Sequence, residues 1–162
     1  MVVAGIDYSL TSPAICIHSG EEWDYSNCKF YYMVGNEKKI TEAPNYFCTV
    51  YPQWSEDCER FNNLAEWSIQ RISAAGCSRV AIEGYAFGAV GRVFQIAENC
   101  GLLKFKLYEH DIPYTVPAPS EIKKFASGKG NANKDLMIES FHKETGVDIR
   151  QKLDIIKGYN PI

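Results

Sequence analysis

The sequence predicts an α/β fold in which a mixed sheet of five strands is flanked by helices. Three short apolar runs follow one another in the first 34 residues, which is typical of an antiparallel meander of strands. Further along the chain, short apolar runs alternate with longer segments whose apolar residues recur at helical spacing. Strands separated by helices pair in parallel through right-handed crossovers, so the sheet combines both kinds of pairing.

The first three strands are predicted at Val2–Ile6, Ala14–His18 and Lys29–Val34, with turn-forming residues between them. The segment from residue 35 to residue 55 contains prolines and has no regular pattern, although it has room for one short strand at Phe47–Tyr51. Its composition leaves open whether it is an insertion or a mobile loop, and whether it touches a substrate.

Helical spacing of apolar residues predicts two long helices, at Glu56–Ala75 and Gly91–Glu109. A short strand that ends on Glu83 lies between them. After the second helix, "IPYTVPAP" predicts another short strand, which is followed by a short helix at Ser120–Phe125 and a last helix at Lys134–Thr145.

The composition favours a single cytoplasmic domain that spans residues 1–162. Hydrophobic residues make up 46% of the chain and charged residues 23%, which is enough apolar surface for a buried core. No apolar run approaches the ~20 residues of a membrane span, and the N-terminus lacks the pattern of a secretory signal. The six cysteines form no C-x-x-C pair, which favours free thiols over a zinc site or disulfides.

Charge is unevenly distributed along the chain. The net charge is −3, but residues 1–100 carry 7 Lys and Arg against 12 Asp and Glu, whereas residues 101–162 carry 10 against 8. A local basic surface binds phosphates even in an acidic chain, and a solvated charged face is the alternative. The lysines of this surface are Lys104, Lys106, Lys123, Lys124, Lys129 and Lys134.

Two predicted strands end on an acidic residue, Asp7 in "VAGID" and Glu83 in "VAIEG". Because neighbouring parallel strands deliver their C-terminal residues to one edge of a sheet, we expect these carboxylates to meet. Two carboxylates repel each other unless a proton or cation intervenes, and oxygen-rich sites suit Mg²⁺. The pair therefore predicts a divalent-metal site that can join to phosphates, although each acid alone would more often be a turn former or helix cap.

A glycine-rich loop, "SGKGNANKD", precedes the last predicted helix. Backbone amides at the start of a helix, together with Lys129 and Lys134, form a suitable site for a phosphate. The spacing is not that of a nucleotide-binding P-loop, and an ordinary flexible loop is the alternative.

Three stretches stand out as a set: "GIDYSLTSPAI", "VAIEGYAFGAVGRVFQIAENCGLLKFKL" and "PAPSEIKKFASGKGNANKDLM". Together and in this order they resemble RuvC-like Holliday junction resolvases, and most of all the bacteriophage branch of this ribonuclease H-like nuclease superfamily. The resemblance implies a ribonuclease H-type fold and cleavage of branched DNA that depends on Mg²⁺, with Mn²⁺ as a substitute. It also implies a homodimer with one active site for each arm of a two-fold junction.

On this resemblance, Asp7 matches the family's first metal-binding aspartate, and Glu83 matches the glutamate that ends its fourth strand. Lys134 matches the basic residue that opens the helix after the family's glycine-containing loop, with Lys129 as a weaker match.

The family also places an aromatic residue shortly after the glutamate, where it stacks on a base near the crossover. Tyr85 or Phe87 fits that position, and core packing is the alternative for both. Lys123 and Lys124 of the basic surface complete the expected DNA contacts.

The chain departs from the family's pattern at its end. Family members carry a further acidic pair at the start of a last helix, and this chain stops at "KGYNPI", where that segment is expected. We therefore expect the C-terminal helix and the remaining metal ligands to lie beyond Ile162, which puts cleavage by these 162 residues in doubt. Asp148 and Asp154 precede the expected place and are the alternative ligands.

The leading interpretation is a structure-specific endonuclease that hydrolyses a phosphodiester of branched DNA with two metal ions. Three alternatives remain: a non-catalytic junction-binding protein, a ribosomal-RNA-processing nuclease of the same fold, and a fragment of an actin-like ATPase. The first phosphate loop of such ATPases reads "GIDxG", and this chain has "GID" at the same place. However, Tyr8 and Ser9 follow here where small residues are expected, and the sequence contains no second phosphate loop.

Overall fold

The structure of the protein is a computed structural model that describes residues 1–40, 43–85 and 93–153. The strands in these residues are β1 (Val2–Asp7), β2 (Ala14–Ser19), β3 (Cys28–Val34), β4 (Tyr46–Val50), β5 (Arg79–Ile82) and β6 (Tyr114–Thr115). The α-helices are α1 (Asp57–Ala74), α2 (Val93–Glu109), α3 (Pro119–Ser127), α4 (Lys134–Thr145) and α5 (Ile149–Lys152). The strands form one sheet in the order β4-β3-β2-β1-β5-β6.

The predicted mixed sheet is confirmed. β1, β2 and β3 pair antiparallel, whereas β5 lies parallel to β1, and β6 lies parallel to β5. The short strand for which the sequence left room is β4, which pairs parallel with β3 and gives the described sheet six strands instead of five. The rings of Phe30 and Tyr46 stack with centroids 4.6 Å apart, and this pair of opposed residues helps to fix the register of β4.

Apolar side chains cover both faces of the sheet. One face packs against α1 and α2, whose buried side chains include Leu64, Ile72 and Leu103. The other face packs against the C-terminal part of the chain, where Ile149 and Leu153 are buried. Because both faces are covered, the parallel strands are apolar without strict alternation, as their short runs in the sequence predicted.

The four predicted helices, α1 to α4, begin and end within two residues of their predicted bounds, whereas the short α5 was not predicted. α4 begins at Lys134 because the side chain of Asn133 accepts a hydrogen bond from the Leu136 amide at 2.9 Å and so caps the helix. Gly146, with φ of 71°, ends the same helix in the left-handed conformation that glycine adopts at low cost.

The six cysteines are free thiols, as predicted. None of the helices in the described part of the chain combines the length and the apolar character that crossing a membrane requires.

Candidate functional site

Asp7 and Glu83 lie side by side at one edge of the sheet. Asp7 is the last residue of β1, and Glu83 follows directly after β5. The parallel register places Ile6 beside Ile82, and the Glu83 amide donates to the Ile6 carbonyl at 2.8 Å. The two carboxylates line one cleft of about 470 Å³, as the strand order predicted.

The pKa of each of these two carboxyl groups is raised above its ordinary value. For Glu83, burial in the cleft is the larger cause, and repulsion by Asp7 adds to it. Asp7 is reached by solvent, but the walls of the cleft displace part of its hydration and raise its pKa. A cation between the two groups would favour the charged form of both.

Two lysines face the acid pair. Lys134 at the start of α4 acts on Asp7 and lowers its pKa, whereas Lys123 of α3 acts on Glu83 in the same direction, each against the larger effect of burial. Both lysines line a second cavity, of about 700 Å³, between the sheet and α4, and Asp7 lines this cavity as well as the cleft. Carboxylates flanked by ammonium groups suit a phosphate that lies over the acids, since the lysines attract it while the acids hold a cation.

The glycine-rich loop between α3 and α4 is a compact turn. The Ser127 hydroxyl donates to the Lys123 carbonyl at 2.7 Å, and the Lys129 amide lies 3.3 Å from the same hydroxyl oxygen. A Cβ on Gly130 would approach the Ser120 carbonyl oxygen to 3.2 Å, so the loop packs closely against the start of α3.

Lys124 and Lys129 are exposed on α3 and on this loop. In contrast to Lys123 and Lys134, they are not among the residues that line either of the two cavities next to Asp7. Their predicted role in DNA binding stays a prediction.

Tyr85 lines the same cleft as the acid pair, with its ring partly exposed. The Lys104 ammonium lies 5.8 Å from the centroid of that ring. Lys104 was not predicted as a site residue. The signal that could have indicated it is its helical spacing from Ile96 and Cys100, which line the cleft. Phe87 lies outside the described residues.

Asp148, an alternative metal ligand in the sequence, is the N-cap residue of α5. Its carboxylate caps α5 by accepting from the amides of Arg150 and Gln151 at 2.9 and 3.1 Å. Asp154 lies outside the described residues. Within residues 1–40, 43–85 and 93–153, no cluster of three or more His, Cys, Asp or Glu side chains could hold a metal ion, so the fit of a cation rests on the two carboxylates.

The loop after Asp7 is held by two groups that the sequence analysis missed. The Ser9 hydroxyl oxygen accepts from the Ser12 amide at 2.8 Å. Arg60 of α1 donates to the carbonyl of Leu10, and its guanidinium lies 4.6 Å from the centroid of the Trp54 ring. No local pattern indicates Arg60, because its partner lies 50 positions away.

No protein-family model matches the sequence, and no curated protein gives a significant match to it. Among solved structures, RuvC of Thermus thermophilus matches with a TM-score of 0.62 and 18% identity, over 96% of this chain and 90% of that one. The chain has the RuvC fold. T. thermophilus RuvC in complex with Holliday junction substrate matches over the same shares of both chains, with a TM-score of 0.65 and 16% identity.

The yeast mitochondrial Holliday junction resolvase Ydc2 has a lower TM-score, 0.43, at 18% identity, and the match covers 88% of this chain and 61% of that one. The two T. thermophilus structures confirm, at the level of the fold, the resemblance to RuvC predicted from the sequence. The bacteriophage branch stays a prediction.

Proposed function

We propose that this chain is a nuclease that cleaves Holliday junctions or related branched DNA with the help of divalent metal ions. The observation that carries the proposal is the pair of carboxylates at the ends of two adjacent parallel strands, with a lysine acting on each, in a RuvC fold. A binding protein without catalysis has no need for two neighbouring carboxylates, one of which raises the pKa of the other.

The acid pair suits Mg²⁺, with Mn²⁺ as a substitute, because both are hard cations that prefer carboxylate oxygens. Asp7 and Glu83 would hold the metal, and binding it would offset their repulsion. When bound, such ions activate a water for attack on phosphorus and stabilise the leaving oxygen.

Other residues of the cleft and of the cavity beside it would bind and orient the DNA strand. Lys123 and Lys134 hold phosphate oxygens on either side of the acid pair. Tyr85 presents a ring face on which an unstacked base can rest, and Lys104 supplies positive charge at the same wall. These contacts involve phosphates and ring faces and not base edges, so we propose recognition by the shape of the branch.

We further propose that the protein acts as a homodimer through the outward face of α2. Phe94, Phe105 and Tyr108 are exposed by 77%, 54% and 74%, and their spacing places them on one stripe of the helix, with Gly101 between them. Rings of roughly 200 Å² each would then expose on the order of 400 Å² per copy, or roughly half of a standard interface once two copies meet. A second copy of the same stripe is a complementary partner, because a ring of one copy can pack over the glycine of the other.

The decisive experiment compares cleavage and binding of a labelled four-way junction. We expect cleavage in Mg²⁺ and Mn²⁺, and binding without cleavage in Ca²⁺. Cleavage would show that the two acids are enough for catalysis and would contradict the expectation that further ligands are required. Asp7→Asn and Glu83→Gln should each reduce the cleavage rate at least about 100-fold, the scale of losing one charge-stabilising group, while binding in Ca²⁺ persists. Cleavage by Asp7→Asn at the wild-type rate would refute the proposed site.

A non-catalytic junction-binding protein is the second candidate, because the described residues offer two acids and not three. It would bind the junction tightly and leave it intact in every metal. Structured RNA as a competing substrate distinguishes the ribosomal-RNA alternative, and calorimetry with ATP distinguishes the ATPase alternative.

A further inference from the structure

A third cavity lies between α3, α4 and the loop that joins β2 to β3, and has a volume of about 430 Å³. We call it the aromatic groove, and it is lined by Trp23, Phe125, Ala126, Met137, Ser140, Phe141, Glu144 and Thr145. Its volume is within the range of pockets for small organic groups. Neither the resemblance to RuvC-like resolvases nor the proposed function assigns it a role.

Two large aromatic side chains stand exposed on the walls of this groove. Phe125 is 95% exposed and Trp23 is 53% exposed. The Trp23 ring lies against the imidazole of His18, with ring centroids 5.4 Å apart. One exposed aromatic ring is ordinary on a protein surface, but two rings on one groove form a platform for a flat apolar group.

The groove is continuous with the proposed DNA-binding surface. Met137 and Phe141 line both the groove and the cavity of about 700 Å³ that contains Asp7 and Lys134. α3 also connects the two sites, because Lys123 near Glu83 and Phe125 in the groove are two residues apart on the same helix. A DNA strand that crosses the acid pair therefore has the groove beside it.

The polar groups that line the groove offer acceptors. The Ser140 hydroxyl donates its proton to the Leu136 carbonyl at 2.8 Å, and the Thr145 hydroxyl donates to the Phe141 carbonyl at 2.7 Å. The Thr145 oxygen already accepts from the Val147 amide at 3.2 Å. Because both hydroxyl protons are used, each oxygen can only accept a further bond, and the exposed Glu144 carboxylate also accepts. A ligand that fits this lining is flat and carries hydrogen-bond donors.

We propose that the aromatic groove binds an unstacked nucleobase with an exocyclic amino group, cytosine above all, next to the branch point of the DNA. The inference rests on the proposed function, because only branched DNA brings such a base to this surface. The base would stack on Trp23 or Phe125 and donate its amino hydrogens to Glu144, as acidic side chains accept from the N4 amino group of cytosine. Thymine has no amino group, and its carbonyl oxygens would face the carboxylate.

The charges around the groove favour a base over a phosphate as the occupant. Glu22 and Asp24 flank Trp23 in the sequence and repel the sugar–phosphate backbone on that side. Lys123 and Lys124 lie on α3, at the opposite wall. The backbone would follow α3, and the base would point from there into the groove.

The test uses four-way junctions with a single abasic position, moved one nucleotide at a time along each strand near the branch. Affinity is measured in Ca²⁺ with the full chain. The wild type should lose about tenfold in affinity at one position, the scale of one base–aromatic stack. Phe125→Ala and Trp23→Leu should bind the intact junction more weakly by a similar factor and be insensitive to the abasic change at that position.

Phe47→Ala is the matched control, because Phe47 is also an exposed ring but stacks on Tyr31. Its neighbour Tyr46 packs in the same core cluster as Phe141, so Phe47 lies on the face of the sheet away from the groove. This variant should keep the wild-type response. At the sensitive position, replacing cytosine by thymine should weaken binding by the wild type. Glu144→Gln should remove that preference, because a carboxamide both donates and accepts.

Two results would overturn the inference. The first is tight junction binding by the wild type with no position that responds to base removal, and it would leave the proposed function standing. The second is a full abasic response that persists in both Phe125→Ala and Trp23→Leu. A wild type that fails to bind any junction would instead refute the proposed function, and this inference with it.

Discussion

At the scale of single residues, the raised pKa of Asp7 and Glu83 links the stability of the protein to pH and to metal. A carboxyl group whose pKa is raised by folding contributes stability below its ordinary pKa, and that contribution is lost as the pH rises through the folded-state pKa. The ordinary values here are 3.8 for Asp7 and 4.5 for Glu83. At neutral pH without metal, the ionised pair therefore destabilises the fold.

We predict that Glu83→Gln melts at a higher temperature than the wild type at pH 7 in a metal chelator, because the amide removes the buried charge. The gain should shrink as the pH falls and vanish near about pH 3, below the ordinary pKa of both acids, where they are protonated in either state. Circular dichroism melts between pH 3 and pH 8 measure this. Glu139→Gln, on the exposed side of α4, controls for a general effect of net charge.

Lys129 and Lys134 give a second prediction at this scale. Replacing both with alanine should weaken junction binding. The slope of log affinity against log salt concentration should become shallower by roughly two, since each phosphate contact contributes about −0.9 to it. A matched pair of changes, Lys29→Ala and Lys38→Ala, should leave the slope unchanged. An unaltered slope in the first variant would mean that these two lysines do not contact phosphate.

At the scale of secondary-structure elements, the ends of strands and helices position the site. Gly84 donates its amide to the Pro117 carbonyl at 2.9 Å, and a Cβ on Gly84 would lie 3.1 Å from that oxygen. The absence of a side chain therefore lets the chain after β5 approach the residues that follow β6. This close approach places Glu83 and Pro119, the first residue of α3, on the same cleft.

The cap of α4 gives the prediction at this scale. Asn133→Ala removes the hydrogen bond to the Leu136 amide and should lower the free energy of unfolding by about 1 kcal/mol, measured by urea denaturation. Junction affinity should also fall, because Lys134 is the first residue of the helix. Asn133→Ser keeps an oxygen that can cap the helix and should restore most of both losses. Equal stability of the alanine variant and the wild type would contradict the capping role.

At the scale of the whole molecule, the two faces of the sheet are covered differently. One face is closed by α1 and α2, and a contact between Glu66 of α1 and Lys106 of α2 ties these helices together. On the other face, a cavity of about 700 Å³ runs from Asp7 to α4. In the proposed function, the outward side of α2 would contact another copy while the site at the sheet edge would bind DNA.

We predict that the protein sediments as a dimer and that Phe105→Glu and Phe94→Glu sediment as monomers, because each places a charge in the proposed interface. Analytical ultracentrifugation at several protein concentrations measures this, and circular dichroism confirms that the variants fold. Phe47→Ala should remain dimeric. Wild-type sedimentation as a monomer at all concentrations would refute this interface.

The sequence by itself determined helices α1 to α4 and the meeting of the acid pair. Periodicity predicted α1 to α4 to within two residues, because an amphipathic helix repeats its apolar residues locally. The meeting of Asp7 and Glu83 was also predictable, because a parallel pair of strands brings equivalent ends to one edge whatever their separation in sequence. The roles of Lys124 and Lys129, and the metal itself, stay predictions.

Only the tertiary structure decided the pairing of β4, the contact of Arg60 with Leu10, and the aromatic groove. Trp23 and Phe125 belong to no common motif and lie more than 100 positions apart, so no local pattern relates them. The packing of α3 and α4 beside the loop between β2 and β3 brings the two rings to one cavity. Such contacts depend on the shapes of distant side chains and not on the periodicity of a segment, which is why periodicity predicts the elements but not the groove between them.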